Sequence, residues 1–167
     1  MITKRAKVRS VKKKGDKGSM LIMWICISAG ITAGFFFANR MKWNSINYLI
    51  WVIGLLTYFI GLFIRWSSII QLKDAFTVDV AINQQHELKT DGIYRFVRHP
   101  SYLGLILIIA GLSLGMNSIY SFLGVVVPIF LAVNYRITVE EKMLMSEFGE
   151  KYAEFKARTK KIIPFIY

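Results

Sequence analysis

Arg98-His99-Pro100-Ser101-Tyr102-Leu103-Gly104 opens an uncharged run of 35 residues that closes at Tyr135, and Arg136-Ile137-Thr138-Val139-Glu140-Glu141 follows at once. Asn117-Ser118 interrupts the run and leaves two apolar segments, Tyr102–Met116 of 15 residues and Ile119–Tyr135 of 17. Two apolar segments joined by so short a polar turn read as a helix hairpin. A hairpin returns to the side it left, so the charged groups at its two ends share one water–lipid boundary.

Upstream, Met20–Ala38 and Ile46–Ile64 are uncharged stretches of 19 residues each. Either can cross about 30 Å of hydrocarbon at about 1.5 Å per residue. The chain of 167 residues is 54% hydrophobic, with a mean hydropathy of +0.44. The expected fold class is an all-α integral membrane protein with about four transmembrane helices, the last two forming the tight hairpin. Beyond Arg136, Leu144, Phe148, Tyr152 and Phe155 recur at helical spacing among charged residues, which predicts a C-terminal amphipathic helix ending near Arg158. The organisation that follows is a basic arm over residues 1–19, a two-helix hairpin over 20–64, and a site-bearing region over 65–167. The loop Arg65–Ser101 carries a β-prone patch at Phe76–Ile82 and a turn at Asp91-Gly92.

Of the 22 Lys and Arg, eight precede the first span, five lie in Arg65–Ser101 and seven follow the fourth, leaving Arg40 and Lys42 alone in the first inter-helix loop. With four spans, twenty positive residues fall on one side, which the positive-inside rule assigns to the cytoplasm together with both termini. The net charge of +12 then sets topology and attracts anionic lipid headgroups. The basic arm has no aromatic residue to stack bases, so nucleic acid is not an expected partner. Met20–Ala38 exceeds the ~7–15-residue core of a signal peptide and reads as a retained anchor. Cys26, the single cysteine, is a small apolar residue of the first span. Gly30-x-x-x-Gly34, Gly54 with Gly61, and Gly111-x-x-x-Gly115 offer faces for close helix packing. Pro128 is expected to kink the fourth helix. The composition sets no oligomeric state.

No charged residue lies inside the four spans, which argues against proton pumps and ion-coupled transporters. Two histidines and one cysteine supply no usual metal set, and no Walker loop or nucleophile elbow occurs. Two polar clusters remain. In Arg98-His99-Pro100-Ser101-Tyr102, proline suits the first helical turn, and the N–H groups of Ser101, Tyr102 and Leu103 would face an anion. The plainer alternative is that Arg98 and His99 anchor the helix at headgroups. In Arg136-x-x-x-Glu140-Glu141, Arg136 and Glu140 share a face and could simply pair across one turn. Together the clusters offer cations for a carboxylate and carboxylates for an ammonium or ribose. S-adenosylmethionine carries all three groups.

The motifs, in this order, resemble the isoprenylcysteine carboxyl methyltransferase family. Its pattern stands here as His86-Glu87-Leu88, Gly92-Ile93-Tyr94, Arg98-His99-Pro100-Ser101-Tyr102, Arg136, Glu140-Glu141, Phe148, Tyr152 and Ile163-Pro164-Phe165-Ile166. The resemblance covers residues 86–167; the first 85 match only as membrane helices, so the chain is expected to be a short form of the family. It implies S-adenosyl-L-methionine contacts from His86, Glu87, Leu88, Lys89, Tyr94, His99, Pro100, Ser101, Tyr102 and Glu140. Glu141 would support that pocket, and Arg136 would hold the substrate carboxylate beside it, toward lipid, with Arg98 as the second catalytic cation. A lipophilic substrate would enter from the bilayer. A carboxylate already ionised needs no base and no metal, only alignment and exclusion of water. Methylation of a phospholipid or another small molecule is the alternative within that class. An NADPH-dependent membrane reductase and a non-enzymatic scaffold are the alternatives outside it.

Overall fold

The computed structural model describes residues 17–40, 48–72 and 88–164. The β-prone patch at Phe76–Ile82, most of the basic arm, His86, Glu87, Phe165 and Ile166 lie outside them. Five α-helices follow in order: α1 Lys17–Arg40, α2 Tyr48–Leu72, α3 Pro100–Leu114, α4 Ile119–Phe148 and α5 Glu150–Arg158. Among the described residues a 3-10 turn, Gly92–Arg95, precedes α3.

Among the described residues, three helices are long and apolar enough to cross a membrane: Gly18–Arg40, Tyr48–Leu72 and Ile119–Phe148. In the first two windows only 11% of residues are buried. Leu21, Trp24, Phe35, Leu56 and Phe63 point outward, as side chains facing lipid rather than water do. The four-span expectation meets α3, whose 15 residues reach about 22 Å at ~1.5 Å per residue, short of the ~30 Å core. Helix α2 runs to Leu72 although the uncharged window ends at Ile64, because Arg65 stays within the helix and finds acceptors on α3.

The helices pack as two pairs, α1 on α4 and α2 on α3, with the α3–α4 hairpin joining them. Glycines set the α2–α3 approach. A Cβ on Gly61 would stand 2.6 Å from the Ile108 nitrogen, and one on Gly111 would stand 2.5 Å from the Gly54 carbonyl oxygen. Gly54 with Gly61 therefore meets Gly111 with Gly104. Gly115 is exposed and belongs to the turn; its nitrogen would lie 3.5 Å from a Cβ on Gly54, so the tighter approach rests on Gly104 and Gly111. The hairpin turns at Asn117 (φ 51), and Ser118 caps α4 by accepting from the Ser121 nitrogen at 3.4 Å. Helix α4 continues past Pro128.

Gly149, at φ 49, ends α4 and starts α5, which buries Tyr152 and Phe155 against Tyr94. The chain after α5 then lies parallel to Phe96–His99. The Arg98 nitrogen donates to the Lys160 carbonyl at 2.8 Å, and the His99 nitrogen to the Lys161 carbonyl at 3.1 Å. Ile162 completes a core of Ile109, Val125, Ile129, Val133 and Ile137. The start of α3, the polar end of α4 and the segment after α5 thus meet in one place.

Candidate active site

Proline opens α3 at a position whose missing N–H costs nothing. The His99 carbonyl then accepts from the nitrogens of Tyr102 (3.2 Å) and Leu103 (3.3 Å). Two of the three N–H groups expected to face an anion are therefore taken, because the His99 backbone turns its carbonyl into the first helical turn. The side chains at this helix start carry the polarity instead.

Tyr102 stands between the two residues of α4 that share a face. Arg136 Nε donates to Tyr102 Oη at 3.0 Å, and Tyr102 Oη donates to Glu140 Oε2 at 2.9 Å. The simple Arg136–Glu140 pair is thus replaced by a three-residue chain. Arg136 is 3% exposed and also donates through Nη1 to Ser19 Oγ of α1 at 3.0 Å. It faces α1 and α3, not lipid. His99, 4% exposed, has Nε2 3.4 Å from Glu141 Oε1 and Nδ1 3.9 Å from Glu140 Oε1.

Glu141 gathers cations. Arg98 Nε donates to Glu141 Oε1 at 2.9 Å, and Lys156 Nζ lies 3.0 Å from Oε2. Arg98 Nη1 also donates to the carbonyls of Lys156 (3.1 Å) and Thr159. Arg98 and Glu141 so pin the chain after α5 to the hairpin. Removing one partner of a buried pair of this kind strands the other charge.

The remaining expected residues divide. Tyr94 is buried, donates to the Ser68 carbonyl at 3.2 Å, and packs with Leu88 against Tyr152. Pro100 is buried beneath the cluster. Ser101 takes Arg65 Nη1 on its carbonyl (3.1 Å) and hydroxyl (3.3 Å), away from the two glutamates. Lys89 pairs with Asp91 at 2.9 Å and joins none of the others. Ser19, Arg65, Lys156 and Thr159 were not among the expected site residues. Ser19, Arg65 and Thr159 reach their partners across 36 residues or more and Lys156 reaches Glu141 across fifteen, which no local spacing announces.

Tyr152 is 1% exposed, and its hydroxyl is buried within electrostatic reach of Glu141, Arg98 and Glu140. Burial pushes the phenols of Tyr94 and Tyr152 up, so both stay protonated and neutral. A polar cleft of about 470 Å³ opens alongside, lined by Arg98, Glu141, Lys156 and the residues through Lys161. A second, more apolar groove of about 550 Å³ runs along α4 past Phe130, Leu131 and Tyr135 to Asn134 and Lys161. Among the described residues, no group of three His, Cys, Asp or Glu could hold a metal ion.

Comparison with known proteins bears on this arrangement. Residues 52–146 match the model of the isoprenylcysteine carboxyl methyltransferase family. The protein-S-isoprenylcysteine O-methyltransferase of Schizosaccharomyces pombe is 35% identical over 109 residues, covering 64% of this chain and 46% of that protein. The corresponding protein B of Arabidopsis thaliana is 28% identical over 134 residues, 79% of this chain and 66% of that one. A solved structure of the eukaryotic intramembrane Ras methyltransferase, isoprenylcysteine carboxyl methyltransferase, superposes with a TM-score of 0.66 at 25% identity, covering 89% of this chain and 51% of that one. The chain spans about half the length of the yeast protein and of that structure. Three apolar helices and an intramembrane neighbour make it an integral membrane protein. With more than half of its residues inside the family match, the chain belongs to the isoprenylcysteine carboxyl methyltransferase family.

Proposed function

We propose that this chain transfers a methyl group from S-adenosylmethionine to the carboxylate of a lipophilic, isoprenylcysteine-like acceptor. The observation that carries the reading is the Arg136–Tyr102–Glu140 chain, with His99 behind it. Cations and carboxylates sit within one buried cluster at the end of a membrane hairpin, as a zwitterionic donor and an anionic acceptor require together.

The residues present fit the donor. Glu140, whose side chain is 27% exposed, is available for an ammonium or a ribose hydroxyl. When bound, S-adenosylmethionine supplies an electrophilic methyl on a sulfonium. Everything else is arrangement. Arg136 holds the acceptor carboxylate, which is ionised at neutral pH and carries its own nucleophile. Tyr102 fixes Arg136 relative to Glu140, so acceptor and donor sites keep one geometry. Well-aligned reactants can gain about 7–11 kcal/mol from orientation alone, without a base or a metal. The acceptor reaches Arg136 between α1 and α3, the helices that touch it.

For topology we infer that α3 completes a fourth, short crossing and that both termini face the cytoplasm, from the twenty-to-two division of basic residues. The surface helix α5 then closes the site from the cytoplasmic side.

The test is turnover by the full chain in lipid nanodiscs, with labelled S-adenosylmethionine and an S-prenylated N-acetylcysteine. Base-labile label in the acceptor is the expected product, since a methyl ester hydrolyses. Label in phospholipid amines would move the reading to lipid N-methylation. Binding of NADPH but not S-adenosylhomocysteine would move it to a reductase, and binding of neither to a scaffold.

A further inference from the structure

The family match begins at residue 52, yet α1, which precedes it, reaches into the polar cluster. Two side-chain bonds staple α1 along α4. Ser121 Oγ donates to the Gly34 carbonyl at 2.8 Å, and Arg136 Nη1 donates to Ser19 Oγ at 3.0 Å. The contacts are fifteen residues apart on each helix, from 19 to 34 on α1 and from 121 to 136 on α4, or about 22 Å at ~1.5 Å per residue. Equal spacing on antiparallel helices means that one register satisfies both. Between the staples, a Cβ on Gly34 would come within 2.5 Å of the Val125 side chain, and one on Gly30 within 3.3 Å of the Val125 carbonyl oxygen. That approach ties the register to the glycines, so the Ser19 hydroxyl cannot slip by a turn.

What the hydroxyl does follows from the shape of its partner. A guanidinium is planar, and aiming it requires fixing two of its points. Tyr102 Oη holds Nε, one point of the plane. Ser19 Oγ holds Nη1, the second. Ser19 is 1% exposed and Arg136 3%, so water is poorly placed to replace the hydroxyl.

Resting on the methyl transfer proposed above, we infer that Ser19 is a positioning residue for the acceptor: α1 aims the Arg136 guanidinium that grips the acceptor carboxylate. Helix α1 is then part of the acceptor site, although the family match does not include it.

The experiment is steady-state kinetics of the full chain in nanodiscs, with the same labelled donor and S-prenylated N-acetylcysteine. Ser19→Ala is expected to raise KM for the acceptor about tenfold, the usual scale for one hydrogen bond to a charged group, while S-adenosylhomocysteine affinity stays within twofold of wild type. Ser19→Thr, which keeps a hydroxyl, restores acceptor KM. Ser19→Cys keeps the volume with a weaker acceptor atom, and serves as the informative variant if Ser19→Ala does not fold. It should raise KM severalfold. An unchanged acceptor KM in an active Ser19→Ala or Ser19→Cys protein overturns the inference, and so does a lowered KM, which would mean that the hydroxyl stands in the acceptor's place. A wild-type chain that binds the donor but methylates no carboxylate refutes the proposed reaction first, and the role of Ser19 with it.

Discussion

Tyr102→Phe removes one oxygen and leaves the ring in place, which makes it the sharpest probe of the cluster. That oxygen accepts from Arg136 Nε at 3.0 Å and donates to Glu140 Oε2 at 2.9 Å. Each bond has one charged partner, the class worth about 1.5–3 kcal/mol apiece. The losses do not add, because Arg136 and Glu140 lie one helical turn apart and, without the phenol, can relax toward each other. A net cost of about 2–3 kcal/mol follows, or a roughly 30- to 150-fold fall in kcat/KM for the carboxylate acceptor. The assay is initial-rate methyl transfer with both substrates varied, alongside titration calorimetry with S-adenosylhomocysteine. A double-mutant cycle with Glu140→Gln should show a coupling of at least about 1 kcal/mol, since both changes act on one bond. A Tyr102→Phe protein within twofold of wild type in kcat/KM, with no coupling to Glu140, would refute the idea that the phenol links donor and acceptor sites.

Three further outcomes are expected. Glu140→Ala should weaken S-adenosylhomocysteine binding by about 10- to 150-fold in calorimetry, while Glu150→Ala, at an exposed position on α5, leaves it unchanged. Glu141→Gln should act on stability, because it strands Arg98, whose side chain is 8% exposed, beside the segment after α5. A loss of about 3–5 kcal/mol is expected, read as a large drop in melting temperature by detergent-based scanning fluorimetry. Gly111→Ala should loosen or block the α2–α3 pair, since its Cβ would stand 2.5 Å from the Gly54 carbonyl oxygen, whereas exposed Gly115→Ala should fold normally by size-exclusion profile.

Hydropathy located the cores of the helices well and their ends less well. Counting charges stops the second span at Ile64, but the chemistry that ends a helix is not charge. Arg65 keeps its helical place because its guanidinium reaches the Ser101 carbonyl and hydroxyl on the neighbouring helix. The small-residue motifs showed a similar limit. Gly30 and Gly34 do face α4, but on α3 the contact uses residues seven apart, Gly104 and Gly111, with the partner glycines Gly54 and Gly61 at the same interval. Spacing marks candidate faces; only the neighbour's surface decides which face is used. The co-location of the two polar clusters was legible for a different reason. Two helices and a tight turn leave their ends nowhere else to go.

The adjacent acids Glu140 and Glu141 show where sequence reasoning reaches and where it must stop. Successive residues on an α-helix point about 100° apart, so neighbours cannot serve one direction. Glu140 shares the face of Arg136, one turn back, and so meets Tyr102 at the start of α3. Glu141 turns toward the chain after α5 and is consumed there by Arg98 and Lys156, with His99 Nε2 3.4 Å away. Its side chain is 11% exposed against 27% for Glu140. A carboxylate with two cations already in contact holds structure together and has little left to offer a ligand. One held by a neutral phenol, with more of its side chain exposed, keeps its charge for something that arrives. The pattern Glu-Glu announced two acids at one boundary; which of them is the fastener and which faces the ligand depends on Lys156 and the path of residues 159–161, fifteen and more positions downstream.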